Sequence, residues 1–476
     1  MALAVLATAA ALIAGCLSDA VAQAAPHAAA GKATAGKATA GKAAGHHGDG
    51  SQPLPGYTIV NPPLPPLQTA YGPSTVYQGV YRSAGFDVEV PPQWNGELVM
   101  WAHPYFGNDP VLLLDPPEFG LRQLLLDQGY AWAASTFTMS GFAVGSGVRS
   151  THDLALYAGQ LLHRTPSRVY FAGISMGAQV AARSLEQYPH FYAGALPMCG
   201  TLGDVQFIDY VADLNLVAQD LAGIRAYPVP ADYHSRVVPQ ILDNLGLSGL
   251  APGEQPTNPL GQQFQAITVQ LSGGERPGAD AAFTYWANNG LFILDTPDDG
   301  GPLVHNAIRL AQNLTTSYSP NSPVDVNATV QRIAPVDKRN RVSAALTPLA
   351  QVSGRPKAPV LTLHGSGDLL APLSMEQIYA REVAAHHRSD LLVQRVIRSV
   401  DHCDFAPSEV ADAWNSLVRW VRAAGPAARS AARPAGDDVL DPAVLAAPDY
   451  GCRFTDQSVY GDPSYPTRTL FPPCPG

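Results

Sequence analysis

The sequence predicts an α/β protein with a mostly parallel sheet and helices on both of its faces. The chain has 476 residues, of which 46% are hydrophobic and 14% charged, which is enough apolar material for a large core. Short apolar runs alternate along the chain with longer stretches of helical periodicity. Because strands buried on both faces are continuous apolar runs, and parallel strands are joined through helices, this alternation predicts such a sheet.

Each element is predicted from a local pattern. An opening hairpin comes first, and Leu98–Ala102 follows as a buried strand because all five of its residues are apolar. The last helix, Glu409–Ala423, carries its apolar residues on one face. The other predicted elements of the core are, in chain order, strands Val76–Tyr81 and Phe86–Val90, helix Glu118–Gln128, strand Tyr130–Phe137, helix Asp153–His163, strand Arg168–Ala172, helix Met176–Tyr188, and strands Ala195–Met198, Ala358–Leu363 and Leu391–Ile397.

Two segments precede the predicted core. Residues 1–24 begin with an apolar stretch that is typical of a signal peptide. Cleavage after Ala22-Gln23-Ala24 would release a secreted protein, whereas lipidation of Cys16, which ends a lipobox-like sequence, would anchor the protein to a membrane. Residues 25–75 are predicted to be a disordered linker, first rich in Ala, Gly and Lys and then in Pro. The lysines of this linker either attach it weakly to an anionic cell envelope or belong to a solvated spacer, and the spacer is the preferred interpretation.

The sequence Gly173-Ile174-Ser175-Met176-Gly177 is the only Gly-x-Ser-x-Gly in the chain. It follows a predicted strand and opens a predicted helix, which is the setting of a nucleophile elbow. In such a turn the serine hydroxyl is exposed, and the next N–H lies at a helix N-terminus, where it can donate to an oxyanion. Ser175 is therefore the predicted nucleophile and Met176 N–H a predicted oxyanion donor. The alternative is a tight glycine-rich turn without catalysis.

A serine hydroxyl needs a base to take its proton, and the base needs a carboxylate to orient it. His402 follows the last predicted strand and precedes the last helix, and is the predicted base. Asp368 lies on a glycine-rich loop after Ala358–Leu363 and is the predicted carboxylate. Asp401 and Asp404 are alternatives, but residues this close in sequence to His402 seldom fold back onto its ring.

The order Ser, Asp, His, each after a predicted strand, resembles the order in the α/β-hydrolase superfamily. The resemblance covers residues 76–200 and 355–425. It implies the α/β-hydrolase fold, an acyl-enzyme mechanism and a second oxyanion donor after Leu98–Ala102. Since Pro104 has no N–H, we expect Tyr105 N–H to be that donor, with Phe106 N–H in reserve.

Local motifs also resemble those of secreted cutinase-like and polyester hydrolases. The resemblance lies in Tyr105, in Met176 after the serine, and in Asp368-Leu369-Leu370-Ala371-Pro372. The pair His402-Cys403 resembles half of a tannase and feruloyl-esterase pattern, in which cysteines beside the serine and the histidine are bridged. Ile174 stands where the other cysteine of that pattern would be.

Four cysteines remain after the signal segment, an even set in a protein predicted to be exported. Of the three pairings, the preferred one joins Cys452 to Cys474, since this short loop would contribute about 3 kcal/mol in the chain-entropy picture. Cys199 is then left with Cys403. Both are predicted at the rim of the active site, so their bridge would hold the loop of His402. Two separate buried thiols are the alternative.

Residues 201–354 interrupt the predicted core between two strands, and in this superfamily such an insertion forms a cap over the active site. The helical runs Val205–Leu221 and Leu303–Gln312 make it a large, helical cap. Residues 426–476 are predicted to be a C-terminal tail with a disulfide. The aromatic residues of the cap either line an apolar pocket or form its own core: Tyr210, Tyr233, Phe264, Phe283, Tyr285, Trp286 and Phe292.

The sequence thus predicts a secreted serine hydrolase that cleaves small or polymeric carboxylic esters. The net charge of −10 argues against nucleic acid as a partner, and no metal-ligand cluster, phosphate loop or dinucleotide fingerprint indicates a cofactor. One alternative is a peptidase of the same fold, in which the acidic run Asp295–Asp299 holds the substrate amino terminus. The other is a non-catalytic surface-binding protein on a hydrolase scaffold.

Overall fold

The computed structural model describes residues 47–294, 302–423 and 425–475. Their strands are β1 (His47–Gly48), β2 (Thr58–Val60), β3 (Gln68–Thr69), β4 (Gly72–Pro73), β5 (Thr75–Tyr81), β6 (Ala84–Val90), β7 (Glu97–Ala102), β8 (Val111–Leu113), β9 (Ala131–Ser135), β10 (Arg168–Ile174), β11 (Gly194–Met198), β12 (Val360–Gly365) and β13 (Leu392–Ile397). Among these residues, nine strands form one sheet in the order β1-β5-β6-β9-β7-β10-β11-β12-β13.

Parallel pairing dominates this sheet. All neighbours from β9 to β13 run parallel, and only β6 runs antiparallel to its neighbours, β5 and β9. After β7 the chain adds β9 on one side and then crosses to add β10 on the other side. Such a reversal of direction is where open α/β sheets bind ligands, at the carboxyl ends of their strands.

The helices are α1 (Leu121–Asp127), α2 (Val144–Leu161), α3 (Met176–Gln187), α4 (Val205–Leu221), α5 (Val238–Leu245), α6 (Pro259–Leu271), α7 (Ala279–Ala287), α8 (Val326–Thr329), α9 (Lys338–Arg341), α10 (Ser374–Ala385), α11 (Pro407–Arg422), α12 (Gly425–Ala431) and α13 (Pro442–Leu445). One π turn spans Tyr233–Val237, and 3₁₀ turns span Leu303–His305, Ala307–Leu310, Ser389–Leu391, Gln457–Val459 and Pro466–Leu470. Within the described residues, no helix is both long and apolar enough to cross a membrane.

Helices cover both faces of the sheet, as predicted. Residues of β7 alternate between two hydrophobic cores, because successive side chains of a strand point to opposite faces. Met100 packs in the core that includes α2 and α3, whereas Trp101 packs in the core that includes α1 and α11. The strand is therefore buried on both faces, which explains its continuous apolar sequence.

The folded body begins earlier than predicted. Residues 47–75 were expected within a disordered linker, but β1 pairs with β5 and β2 pairs with β8. Asn61 also donates side-chain hydrogen bonds to Phe86 O and to the Asp87 carboxylate. This proline-rich segment is held by backbone pairing and by Leu64 and Leu67, which pack against the core that includes α1 and α11, so its composition gave no sign of order. Residues 1–46, with the predicted signal segment and lysine-rich linker, lie outside the described residues.

Two helix predictions are corrected. Helix α2 begins at Val144 and not at Asp153. Its first turn contains Gly-Ser-Gly, whose low helix propensity favoured a later start in the prediction, but tertiary packing overrides this propensity. The predicted helix Leu303–Gln312 is instead two 3₁₀ turns. Asn306 separates them with φ −142° and ψ 60°, outside the helical region.

The insertion between β11 and β12 contains α4 to α9 and shares a hydrophobic core with one face of the sheet. Six of its seven singled-out aromatic residues are buried, and Tyr285 is half-buried. The ring of Phe264 lies 5.5 Å from that of Phe283 and 6.0 Å from that of Phe292. Phe264, Phe283 and Phe292 therefore pack together in the core of the cap, the second of the two alternatives.

Candidate active site

Ser175 lies in the sharp turn between β10 and α3. Its backbone has φ 53° and ψ −120°, a strained conformation for a residue with a side chain. Close approach explains the flanking glycines: a Cβ on Gly173 would lie 2.4 Å from Gly177 O, and one on Gly177 would lie 2.1 Å from Ala102 O. The sequence thus folds into the tight strand–helix turn of a nucleophile elbow.

This elbow follows β10. Apart from β1 at one edge, the sheet has eight strands in the order β5-β6-β9-β7-β10-β11-β12-β13, in which β10 is the fifth and β6 is antiparallel to its neighbours. The chain has the α/β-hydrolase fold. The predicted fold class is therefore confirmed. In this fold the carboxyl ends of β10 to β13 are in register, since Ile174 pairs with Met198 and Gly365 with Ile397. The loops that follow these strands meet at one edge of the sheet.

Three predicted site residues come together at this edge. His402 Nε2 lies 2.9 Å from Ser175 Oγ, and His402 Nδ1 lies 2.6 Å from Asp368 Oδ2. The Asp368 side chain is fully buried, whereas that of His402 is 15% exposed. Because an ionised carboxylate only accepts hydrogen bonds, Nδ1 carries the proton and Nε2 accepts from the serine hydroxyl. This tautomer suits a histidine that takes a proton from serine.

The second oxygen of Asp368 is also occupied. Oδ1 accepts hydrogen bonds from the N–H groups of Leu370 (2.9 Å) and Ala371 (3.0 Å). The buried carboxylate therefore has partners on both oxygens, which offsets part of the cost of removing a charge from water. Its orientation toward His402 is fixed by its own loop.

The two alternative carboxylates do not face the ring of His402. Asp401 Oδ1 accepts the backbone N–H of His402 at 2.8 Å, and burial raises the pKa of Asp401. Asp404 Oδ2 accepts from the hydroxyl of Thr467 at 2.6 Å. Asp401 thus holds the backbone of the loop and Asp404 joins the loop to the tail. Of the three carboxylates, Asp368 is the one with an oxygen at 2.6 Å from a ring nitrogen of His402.

The loop after β7 lies beside the elbow. The would-be Cβ of Gly177 lies 2.1 Å from Ala102 O and 2.7 Å from His103 O, so the start of α3 rests directly on this backbone. Tyr105 follows within the same loop, and Met176 is the first residue of α3. Tyr105 N–H and Met176 N–H stay the predicted oxyanion donors, with Phe106 in reserve.

Side chains hold this loop in place. The His103 ring stacks on Phe106 and Phe137, with centroids 4.8 Å and 4.1 Å away, and burial lowers the pKa of His103 to about 4. A neutral imidazole packed in this way has a structural role. Asn108 links the loop to the cap, because its side chain accepts from Tyr105 Oη (3.0 Å) and donates to His305 O (3.0 Å).

Both preferred disulfides are present in the structure. Cys199 is joined to Cys403 and Cys452 to Cys474, with Cα–Cα distances of 5.3 Å and 5.8 Å. The sulfur atoms of the first bridge and a ring nitrogen of His402 all lie within 4.8 Å of one another. With both sulfurs in a disulfide, neither is a thiolate ligand for a metal. Such bonds persist in oxidising compartments, which fits an extracellular protein.

Sequence reasoning missed a second set of contacts around the loop of His402. In the tail, Arg468 is buried and donates to both oxygens of Glu409, each at 2.9 Å, and to Asp404 O at 2.9 Å. In the cap, Trp286 Nε1 lies 2.9 Å from Val400 O. These residues are far from His402 in the sequence and belong to no motif, so no local signal identifies them.

Comparison with known proteins gives few matches in sequence. No protein-family model matches the chain. An o-phthalyl amidase from Xanthobacter agilis is 36% identical over 63 residues, which are 13% of this chain and 14% of that protein. The matched part is therefore a small fraction of the relative's length.

The solved structures that match this chain have low sequence identity to it and low TM-scores. A rice cell wall degrading esterase, LipA from Xanthomonas oryzae, has 15% identity and a TM-score of 0.35, covering 71% of this chain and 86% of that chain. Feruloyl esterase B from Aspergillus oryzae has 14% identity and a TM-score of 0.38, covering 74% and 80%. An acylaminoacyl peptidase from Pyrococcus horikoshii has 10% identity and a TM-score of 0.35, covering 68% and 37%. With these TM-scores, the fold assignment depends on the strand order and the nucleophile elbow. The resemblance to cutinase-like hydrolases stays a prediction.

Proposed function

We propose that this protein is a secreted serine hydrolase that cleaves carboxylic esters through an acyl-enzyme intermediate. The observation that carries the proposal is the hydrogen-bond chain from Ser175 Oγ through His402 to the buried Asp368 carboxylate. A strained serine, a correctly protonated histidine and an anchored carboxylate are what nucleophilic catalysis by serine requires. A surface-binding protein has no need of this arrangement.

In the first half-reaction, Ser175 Oγ attacks the ester carbonyl carbon while His402 Nε2 takes the hydroxyl proton. Asp368 stabilises the imidazolium, and the N–H groups of Met176 and Tyr105 donate to the oxyanion. The tetrahedral intermediate collapses, the C–O bond to the alcohol breaks, and His402 returns the proton to the leaving oxygen. Water then attacks the acyl-enzyme with the same base, which frees the acid and Ser175.

Amide hydrolysis is the second candidate. The 63-residue match to an amidase favours it, and the same residues would protonate an amine leaving group. The acidic run Asp295–Asp299, which would hold an amino terminus in a peptidase, lies outside the described residues.

The predicted signal segment supports export, with lipidation at Cys16 as the alternative to cleavage. The mass of the mature N-terminal peptide distinguishes these two.

The test is hydrolysis of p-nitrophenyl esters from acetate to palmitate, with the matching p-nitroanilides, by the wild type and Ser175→Ala. We expect ester turnover, and a loss of about 10⁴-fold or more in kcat for Ser175→Ala. Ser235→Ala, which changes an exposed serine of the cap, is the matched control and should keep wild-type activity.

Two results would redirect the assignment. Faster anilide than ester turnover would favour the amidase or peptidase. A folded wild type that neither hydrolyses any substrate nor reacts with a fluorophosphonate probe would contradict a serine hydrolase and favour the binding scaffold.

A further inference from the structure

Side chains of the cap hold the backbone on both sides of Asp368. Three buried donors from the cap reach three carbonyls of this loop, and each comes from a different part of the cap. The three hydrogen bonds are Arg276 Nε to Ser366 O (2.6 Å), Trp286 Nε1 to Gly367 O (3.1 Å) and Tyr210 Oη to Leu369 O (3.0 Å). The carbonyls that flank the predicted carboxylate are therefore satisfied by the insertion and not by the core.

Trp286 differs from the other two donors because it also reaches the loop of His402. Its single N–H lies 3.1 Å from Gly367 O and 2.9 Å from Val400 O, which makes a shared, three-centre hydrogen bond. Gly367 immediately precedes Asp368, and Val400 lies two residues before His402. One indole therefore joins the loop of the acid to the loop of the base.

The two loops touch at this same point. Gly367 N–H donates to Ser399 O at 2.9 Å, so the backbone segments that carry Asp368 and His402 run side by side under the indole. Trp286 itself is only 4% exposed. Without its N–H, two buried carbonyls would lose a donor, and a buried carbonyl without a donor is unfavourable unless the backbone moves or water enters.

We propose that Trp286 is a positioning residue that fixes the distance between Asp368 and His402, which makes the cap a permanent part of the catalytic site and not a removable lid. This inference rests on the proposed function. It has a physical reason: a small displacement of a catalytic group, on the order of 1 Å, can lower the rate about 100-fold. The acid and the base lie on two different loops. A hydrogen bond at the point where these loops meet therefore limits the displacement of one group relative to the other.

The test compares Trp286→Phe, which keeps a ring and removes the N–H, with Trp94→Phe. Trp94 is a matched control because its Nε1 donates to one backbone carbonyl, Glu97 O at 2.8 Å, at the amino end of β7 and away from Ser175. We expect Trp286→Phe to lower kcat for a p-nitrophenyl ester about 10- to 100-fold, with KM changed less than about 3-fold. Trp94→Phe should change neither.

A second measurement needs no substrate. The proton on His402 Nδ1, shared with Asp368, should give a low-field ¹H NMR signal that Trp286→Phe shifts or broadens and Trp94→Phe leaves in place. If Trp286→Phe does not fold, Tyr210→Phe, which removes only the bond to Leu369 O, should lower kcat about 3- to 10-fold with the same change in the signal.

The outcomes separate the two proposals. Wild-type kcat and an unshifted signal in Trp286→Phe would overturn the positioning role, as would an activity loss that follows thermal stability equally in both tryptophan variants. An inactive wild type whose low-field signal still depends on Trp286 would overturn the proposed function and leave the positioning role standing.

Discussion

Removing the Cys199–Cys403 bridge tests whether the disulfide holds the loop of His402. The perturbation is the double variant Cys199→Ala/Cys403→Ala, and the control is Cys452→Ala/Cys474→Ala in the tail. Both changes remove one disulfide. Only the first touches residues within 4.8 Å of a His402 ring nitrogen.

The sequence separations set the magnitudes. The first bridge joins residues 204 positions apart and the second joins residues 22 apart. In the chain-entropy picture the longer loop contributes about 5 kcal/mol to the free energy of unfolding and the shorter about 3 kcal/mol. Since Cys403 is the neighbour of His402, we also expect kcat to fall about 10- to 100-fold in the first variant and to change less than about 3-fold in the second.

The assay combines urea unfolding with ester hydrolysis at a temperature where both variants stay folded. Mild reduction of the wild type should reproduce the loss of activity. Equal activity losses in the two double variants would refute the reasoning, because they would show general destabilisation. Full activity in the folded Cys199→Ala/Cys403→Ala variant would refute it as well.

Two further predictions follow from the geometry. Asp368→Asn should lower kcat about 10⁴-fold, because the amide no longer holds the Nδ1-protonated tautomer. Asp401→Asn, whose side chain accepts the backbone N–H of His402, should lower kcat less than about 10-fold, and steady-state kinetics of both variants check this. His103 has a pKa lowered to about 4 by burial, below its unfolded value of about 6.5. The unfolded state therefore binds more protons at this residue in this window, and His103 by itself should lower the unfolding free energy by about 3 kcal/mol from pH 7 to pH 4. His103→Gln should lose correspondingly less over the same range, and an identical pH profile in the two proteins would contradict the assignment.

The parts of the fold that were predictable are those with a local signature. Strand β7 was predicted within one residue because burial on both faces demands a continuous apolar run. Ser175, Asp368 and His402 could be grouped because each follows a parallel strand, and the carboxyl ends of such strands share one edge. The position of each residue after a predicted strand was thus sufficient to predict that three residues distant in the sequence lie close together.

The parts that were not predictable depend on partners far away in the sequence. Trp286 is 81 residues from Gly367 and 114 from Val400, and an indole that donates to a backbone carbonyl has no sequence pattern. Residues 47–75 pair through their backbones, which no side-chain periodicity reports. Composition alone assigned the whole of that segment to a linker.

The loop of His402 is contacted by three separate parts of the chain. Loops at the end of a sheet are mobile by default, yet a base must stay within hydrogen-bond distance of its serine. Here the loop is held by the core through Cys199, by the cap through Trp286 and by the tail through Arg468. Each link acts on Val400, Cys403 or Asp404, within two residues of His402. If His402 is the base, as proposed, the geometry that brings its ring to Ser175 therefore depends on contacts from core, cap and tail together, and the insertion and the tail help to position this histidine.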